Sequence, residues 1–119
     1  MLICSSCGQH VEIQQVHCRA CGLHYEGRFG LPRLARLSAE HQRLSEMLVL
    51  CAGNLKEMAR ELDVSYPTLR KRLDALIEAL KALRGADEGR IDELLSAVEA
   101  GTMPAEQAAR IIREINGGP

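Results

Sequence analysis

Apolar residues recur at helical spacing through most of the chain beyond residue 37. Leu44, Met47, Leu48 and Cys51 form one stripe, with Ser38 placed to cap its start and Gly53 to end it. Leu55, Met58, Ala59 and Leu62 form a second stripe at i, i+3, i+4 and i+7, opened by the capping-box-like run Asn54-Leu-Lys-Glu57. Asp63-Val64 is a very short connection. Ser65 then caps a third helix, with Pro67 in its first turn, where a missing N–H costs little. Leu69, Leu73, Leu76, Leu80 and Leu83 continue that helix to about Leu83, stepping by 4, 3, 4 and 3.

The pattern changes on either side of this stretch. At the N-terminal end there is no helical period. Short strand-like alternations, Val11-Glu-Ile13-Gln and Leu23-His-Tyr25-Glu, each accompany a C-x-x-C pair. At the other end Arg84-Gly85-Ala86-Asp87 lacks apolar periodicity and is expected to break the chain. Ile91, Leu94, Leu95 and Val98 then form one stripe. Gly101 is placed as a C-cap, Pro104 restarts the chain, and Ala108, Ile111, Ile112 and Ile115 form another stripe. Three modules follow: residues 1–31, 32–84 and 85–119. The expected fold is mainly α: a short-β zinc ribbon, a helix-turn-helix with an extended third helix, and an acidic helical hairpin.

Composition limits the core more than it limits the function. The chain has 119 residues, of which only 3% are aromatic, so Leu, Ile, Val, Ala and Met must build whatever is buried. The formal charge of −1 excludes a uniformly basic nucleic-acid coat protein. That total is uneven: residues 1–33 carry +1, residues 34–84 carry +2, and residues 85–119 carry −4. No run approaches the ~18 apolar residues of a membrane span. No charged segment followed by an apolar one opens the chain, so a cytoplasmic, nucleoid-associated location is expected.

In Cys4-Ser-Ser-Cys7-Gly8 and Cys18-Arg-Ala-Cys21-Gly22, ten residues separate Cys7 from Cys18. Two residues between cysteines let both thiolates of a tight turn face one metal, and a glycine after each pair suits positive φ. Cys4, Cys7, Cys18 and Cys21 are therefore the expected ligands of one structural Zn²⁺, a site with no open position for catalysis. An iron–sulfur site or a redox dithiol is the alternative; the latter normally sits in a βαβ context, which is absent. His10, His17 and His24 lie near these cysteines as surface or supporting groups. A module of this size cannot fold on burial alone, so the metal would supply most of its stability.

Two short helices joined by so tight a turn cross steeply, which is the helix-turn-helix arrangement. Val64 and Leu69 would pack inward. Ser65, Tyr66, Thr68, Arg70, Lys71 and Arg72 would stand outside near the start of the third helix, where a recognition helix contacts double-stranded DNA. Arg and Lys donate to guanine edges and phosphates, and Ser and Thr to phosphates. The plain alternative is a helical bundle with a solvated Arg-Lys-Arg face. Leu76, Leu80 and Leu83 at the end of the seam, with Ile91, Leu95, Ile111, Ile112 and Ile115 of the tail, are the candidate oligomerisation residues, most simply for a homodimer.

Gly53 to Leu73 resembles the helix-turn-helix of Fis-type bacterial DNA-binding proteins, chiefly through Val64-Ser-x-x-Thr68-Leu-Arg-Lys-Arg-Leu73. The resemblance implies DNA-contacting positions for Ser65, Thr68, Arg70 and Lys71. Asp63 stands where that pattern usually has Gly in the turn, Pro67 alters the first turn, and Tyr66 replaces a basic residue. The order of ribbon, the linker Leu31-Pro-Arg-Leu-Ala-Arg-Leu37 and helix-turn-helix over residues 1–84 resembles a bacterial family catalogued as a domain of unknown function, which implies a transcriptional regulator. Ile91 to Ala109 resembles SHOCT-like terminal hairpins, which implies oligomerisation or partner binding.

These readings converge on a non-enzymatic DNA-binding regulator. The alternative is a protein-interaction adaptor of the transcription machinery that uses the ribbon and the acidic tail. The chain has no paired-carboxylate signature, phosphate loop or nucleophile motif that would point to catalysis.

Overall fold

The computed structural model describes residues 3–9 and 11–117. It is mainly helical, with a small two-stranded sheet. The strands β1 (Ile13–His17) and β2 (His24–Phe29) pair antiparallel, with His17 opposite His24, Val16 opposite Tyr25 and Ile13 opposite Phe29. The pairing slips between Ile13 and Gln15, so β2 carries a bulge there. Both strands begin later than the alternation predicts, because the hairpin is organised around its turn, the second cysteine pair.

A 3-10 turn, Arg33–Arg36, leads into α1 (Ala39–Leu50), α2 (Leu55–Glu61), α3 (Tyr66–Glu99) and α4 (Ala105–Ile115). The three expected N-caps are all made: Ser38 accepts from the His41 N–H, Asn54 from Glu57 and Ser65 from Thr68. Helices α1, α2 and α3 end alike. After α1, the Gly53 N–H reaches the Leu48 carbonyl and the Ala52 N–H the Val49 carbonyl; the same pair of bonds recurs after α2 and α3. The left-handed residue in these turns is Ala52, Asp63 and Gly101 in order. The turn after α1 therefore begins one residue before Gly53, at an alanine.

The core gathers Leu37, Leu44, Cys51, Met58, Leu69, Leu73 and Leu76, with Leu55, Leu62, Val64, Leu80 and Leu83 packed against it. The stripes expected for α1, α2 and the start of α3 thus all face one another. Cys51 is a buried core residue that caps the C-terminus of α1. Leu37, the last residue of the linker, is only 2% exposed, so that segment is itself part of the core.

One expectation is overturned. The break at Arg84–Asp87 is absent, and α3 runs unbroken for 34 residues, about 51 Å at helical rise. Apolar periodicity lapses there because the buried position is charged. Asp87 is 5% exposed and is held by Arg33 and Arg36 from the 3-10 turn. The helical hairpin of the tail is present but starts inside α3: α4 folds back on the second half of that helix, with Leu94 and Ala108 buried. Its far end meets residues 30–32, where a Cβ on Gly30 would collide with the Glu114 carbonyl and one on Gly117 would lie 3.1 Å from Pro32. The radius of gyration, 18.3 Å, exceeds the ~13–14 Å of a compact chain of this length, as a single long helix requires. No helix among the described residues is long and apolar enough to cross a membrane.

Candidate nucleic-acid interface

The interface is built from the turn outward. Leu62 and Val64 pack inward on either side of Asp63, which takes φ 52°. Aspartate tolerates this conformation better than most residues, which is how it serves where glycine is usual. Ser65 then caps α3 twice over. Its Oγ accepts from the Thr68 N–H at 3.3 Å, and its hydroxyl donates to Thr68 Oγ1 at 2.8 Å. Pro67 occupies the first turn, as its lack of an N–H allows.

Leu69, Leu73 and Leu76 fix the rotation of α3 by facing the core. That rotation leaves Ser65, Tyr66, Thr68, Arg70, Lys71 and Arg72 exposed together at the helix start. Tyr66 is 49% exposed, a large aromatic ring in water one turn before Arg70. Arg70 lies 3.4 Å from Asp74, one turn on. That ion pair is solvent-exposed and worth at most about 1 kcal/mol, so a phosphate can displace it.

The cysteine pairs form two turns of one design. The Cys4 carbonyl accepts from the Gly8 N–H at 2.9 Å and the Cys18 carbonyl from the Gly22 N–H at 2.8 Å; Gly8 and Gly22 sit at φ 74° and 75°. Backbone N–H groups of Cys7 and then Ser6 lower the Cys4 thiol from its ordinary value, and those of Cys21 and then Ala20 do the same for Cys18. Donors aimed at a sulfur favour thiolate, the form that binds metal. Among the described residues, no three His, Cys, Asp or Glu side chains are gathered at one point as a metal site would require. The stacked rings of His17 and His24, 5.3 Å apart, close the base of the second turn, and Gln15 Nε2 lies 2.9 Å from His24 Nδ1. His10 lies outside the described residues, as do the last two residues of Gly117-Gly118-Pro119, expected to fray.

The residues expected to join two copies separate into several environments. Leu76 is 5% exposed inside the chain's own core, and Leu80 and Leu83 pack against that core. Leu76 is therefore unavailable to a partner. Ile111 and Ile115 line a cleft facing the hairpin. Ile91 and Ile112 are half-buried, and Leu95 is 50% exposed.

The periodicity did not reveal the Asp87 cluster. Arg33 Nε donates to Asp87 at 3.0 Å, and Arg36 donates to both carboxylate oxygens, the longer bond 2.9 Å. Burial alone would raise the Asp87 carboxyl. The hydrogen bonds and charges of Arg36 and Arg33 outweigh it and hold the group below the ordinary aspartate value. The only sequence signal is an acidic pair, Asp87-Glu88, between Gly85 and Gly89 and two arginines three apart in the linker.

A family described as Domain of unknown function (DUF2089)-HTH matches residues 37–83, which spans α1, α2 and the first half of α3. No curated protein and no solved structure matches the chain. The match ends at Leu83, the last residue packed against the helix-turn-helix core, and its description carries the same helix-turn-helix that the packing displays.

Proposed function

We propose that this chain is a bacterial transcriptional regulator that reads duplex DNA with the start of α3. One observation carries the reading. A helix-turn-helix core leaves Tyr66, Thr68, Arg70, Lys71 and Arg72 all exposed on the first two turns of α3 while Leu69 and Leu73 lock the helix against the core. The family match over the same residues is compatible with it. The Fis-like reading is finer: Ser65 and Thr68 address phosphates, and Arg70 and Lys71 address phosphates or guanine edges. One structural Zn²⁺ on Cys4, Cys7, Cys18 and Cys21 belongs to the same reading, supported by two matching turns that favour thiolate. The role is non-catalytic, nucleoid-associated and exercised as a homodimer. Exposed Ile77 and Leu95 on α3 supply apolar surface for the dimer contact, which the SHOCT-like tail would extend.

The test is binding of zinc-loaded protein to a duplex selected from a random library, measured at two salt concentrations. Affinity should fall steeply with salt. The double variant Arg70→Ala/Lys71→Ala should lose about ten-fold or more while keeping its helical signal. A double variant that binds as well as the parent would remove α3 as the reading helix.

A second reading, an adaptor for a transcription-machinery protein, is favoured by the hairpin surface. Val16 and Tyr25 are cross-strand neighbours on one face, 41% and 53% exposed, and Leu23 is 53% exposed. Recovery of a protein partner that Tyr25→Ser releases, with no duplex enriched at low salt, would select it.

A further inference from the structure

A cleft of about 370 Å³ lies where the hairpin, residues 30–36, the second half of α3 and α4 meet. Its apolar wall comes from Ile13, Phe29, Leu31, Leu83, Ile111 and Ile115. Its polar groups carry both signs: Arg28, Arg36 and Arg90 against Glu12 and Glu114. Among the described residues, Arg28, Glu12 and Glu114 make no ion pair, and Arg90 reaches only Glu93 at 3.5 Å on the surface. Arg36 spends its terminal nitrogens on Asp87, yet its Nε is buried and has no hydrogen-bond partner. Opposite charges that share a cleft without pairing, beside an apolar wall, are complementary to a molecule carrying both charges and a hydrocarbon group.

We propose that this cleft binds a small apolar zwitterion, an α-amino acid with a hydrocarbon or aromatic side chain. The carboxylate goes to Arg28, whose guanidinium makes no ion pair among the described residues and can offer paired donors; Arg36, held by Asp87, adds positive charge on the same side and has only its Nε left. The ammonium goes to Glu12 or Glu114. The side chain lies between Phe29, Leu83 and Ile111. At about 30 Å³ per water the space holds on the order of a dozen waters, which is room for an amino acid the size of phenylalanine. A ligand there touches all three modules at once.

The probe is L-phenylalanine, titrated into full-length, zinc-loaded, methyl-labelled protein and followed by NMR without DNA. Saturable shifts are expected at Leu31, Leu83, Ile111 and Ile115, with Kd near or below about 1 mM. 3-Phenylpropionate lacks the ammonium and phenethylamine lacks the carboxylate; each should bind about ten-fold or more weakly. Arg28 is exposed and outside the core, so Arg28→Glu keeps the fold and should lose a similar factor. The proposal is overturned by shifts that do not saturate, by shifts centred elsewhere, by equal binding of either truncated probe, or by full binding in Arg28→Glu.

Discussion

Residues 3–30 and residues 37–83 are held together by different means. The second stretch contains eight of the buried hydrophobic residues, from Leu37 to Leu76, and its three helices converge on them. The first contains no buried residue among those described, and every position from Arg19 to Gly30 is exposed. A two-stranded hairpin without a covered face does not hold in water on its own. The helix-turn-helix is therefore stabilised by the hydrophobic effect. On the zinc reading proposed above, the hairpin is held by ligation at its two cysteine turns, with residues 30–32 anchored on the end of α4. Burial and ligation leave different marks on a sequence, and they fail under different conditions.

The largest expected effect breaks that comparison directly. Removing metal with a strong chelator should collapse amide protection over residues 3–30 and leave residues 37–83 protected, as read by hydrogen exchange with mass spectrometry. If both regions stay protected, the hairpin is held by the chain alone and the zinc assignment falls. Next in size is the core. Met58 and Leu69 are completely buried, and Met58→Ala or Leu69→Ala should each cost about 2–5 kcal/mol in urea unfolding. The same variants should leave metal stoichiometry at the cysteines unchanged in the folded protein, because the two regions draw on separate sources of stability. Loss of metal in folded Met58→Ala would mean that the two are one cooperative unit.

Asp87 pins the linker between the two regions to α3 and gives an intermediate effect. Asp87→Asn leaves Arg33 and Arg36 without a countercharge. Breaking a fully buried pair costs about 3–5 kcal/mol, but both arginine side chains are about one-third exposed, so about 1–3 kcal/mol is expected. The pH dependence has a fixed sign. The folded-state pKa is depressed, so the contribution is complete above the unfolded value near 3.9 and is lost as pH falls through the lower folded value. The parent should lose stability between about pH 5 and pH 2 more steeply than Asp87→Asn. Parallel curves for the two proteins would show that Asp87 carries no such linkage.

The same contrast explains what could be read from the chain. The helix-turn-helix was legible because its packing is periodic and local: the stripes of α1, α2 and α3 and the caps Ser38, Asn54 and Ser65 all occur as spaced. The continuous α3 was not legible. Its buried position at residue 87 is an ion pair, and its partners lie more than fifty residues earlier, a distance no periodicity spans. The tail was half legible. Its stripes exist, but the end of α4 meets residues 30–32, and Ile111 and Ile115 face the hairpin across a cleft. The interface residues could be placed outside the core because Leu69 and Leu73 set the rotation of α3. What they touch is a property of a second molecule, and a single chain does not encode it in its own spacing.

The smallest effect tests how firmly the helical region imposes its backbone. Three helix ends use one turn with different residues at the left-handed position: Ala52, Asp63 and Gly101. For alanine that conformation costs about 1–2 kcal/mol, against which glycine brings about 0.4–1 kcal/mol of extra unfolded-state entropy. Ala52→Gly should therefore stabilise by about 0.5 kcal/mol, since position 52 is exposed and no side-chain contact is lost. Asp63→Gly should change stability by less, because aspartate already tolerates left-handed φ. Gly101→Ala should destabilise by about as much as Ala52→Gly stabilises, there being open space but an unfavourable φ of 76°. Urea midpoints with unchanged slopes would measure all three. The order Ala52→Gly above Asp63→Gly above Gly101→Ala is the prediction. A destabilised Ala52→Gly would mean that the packing of Leu48 and Cys51 does not hold this turn in place, and that the helical region is less rigid at its edge than its core implies.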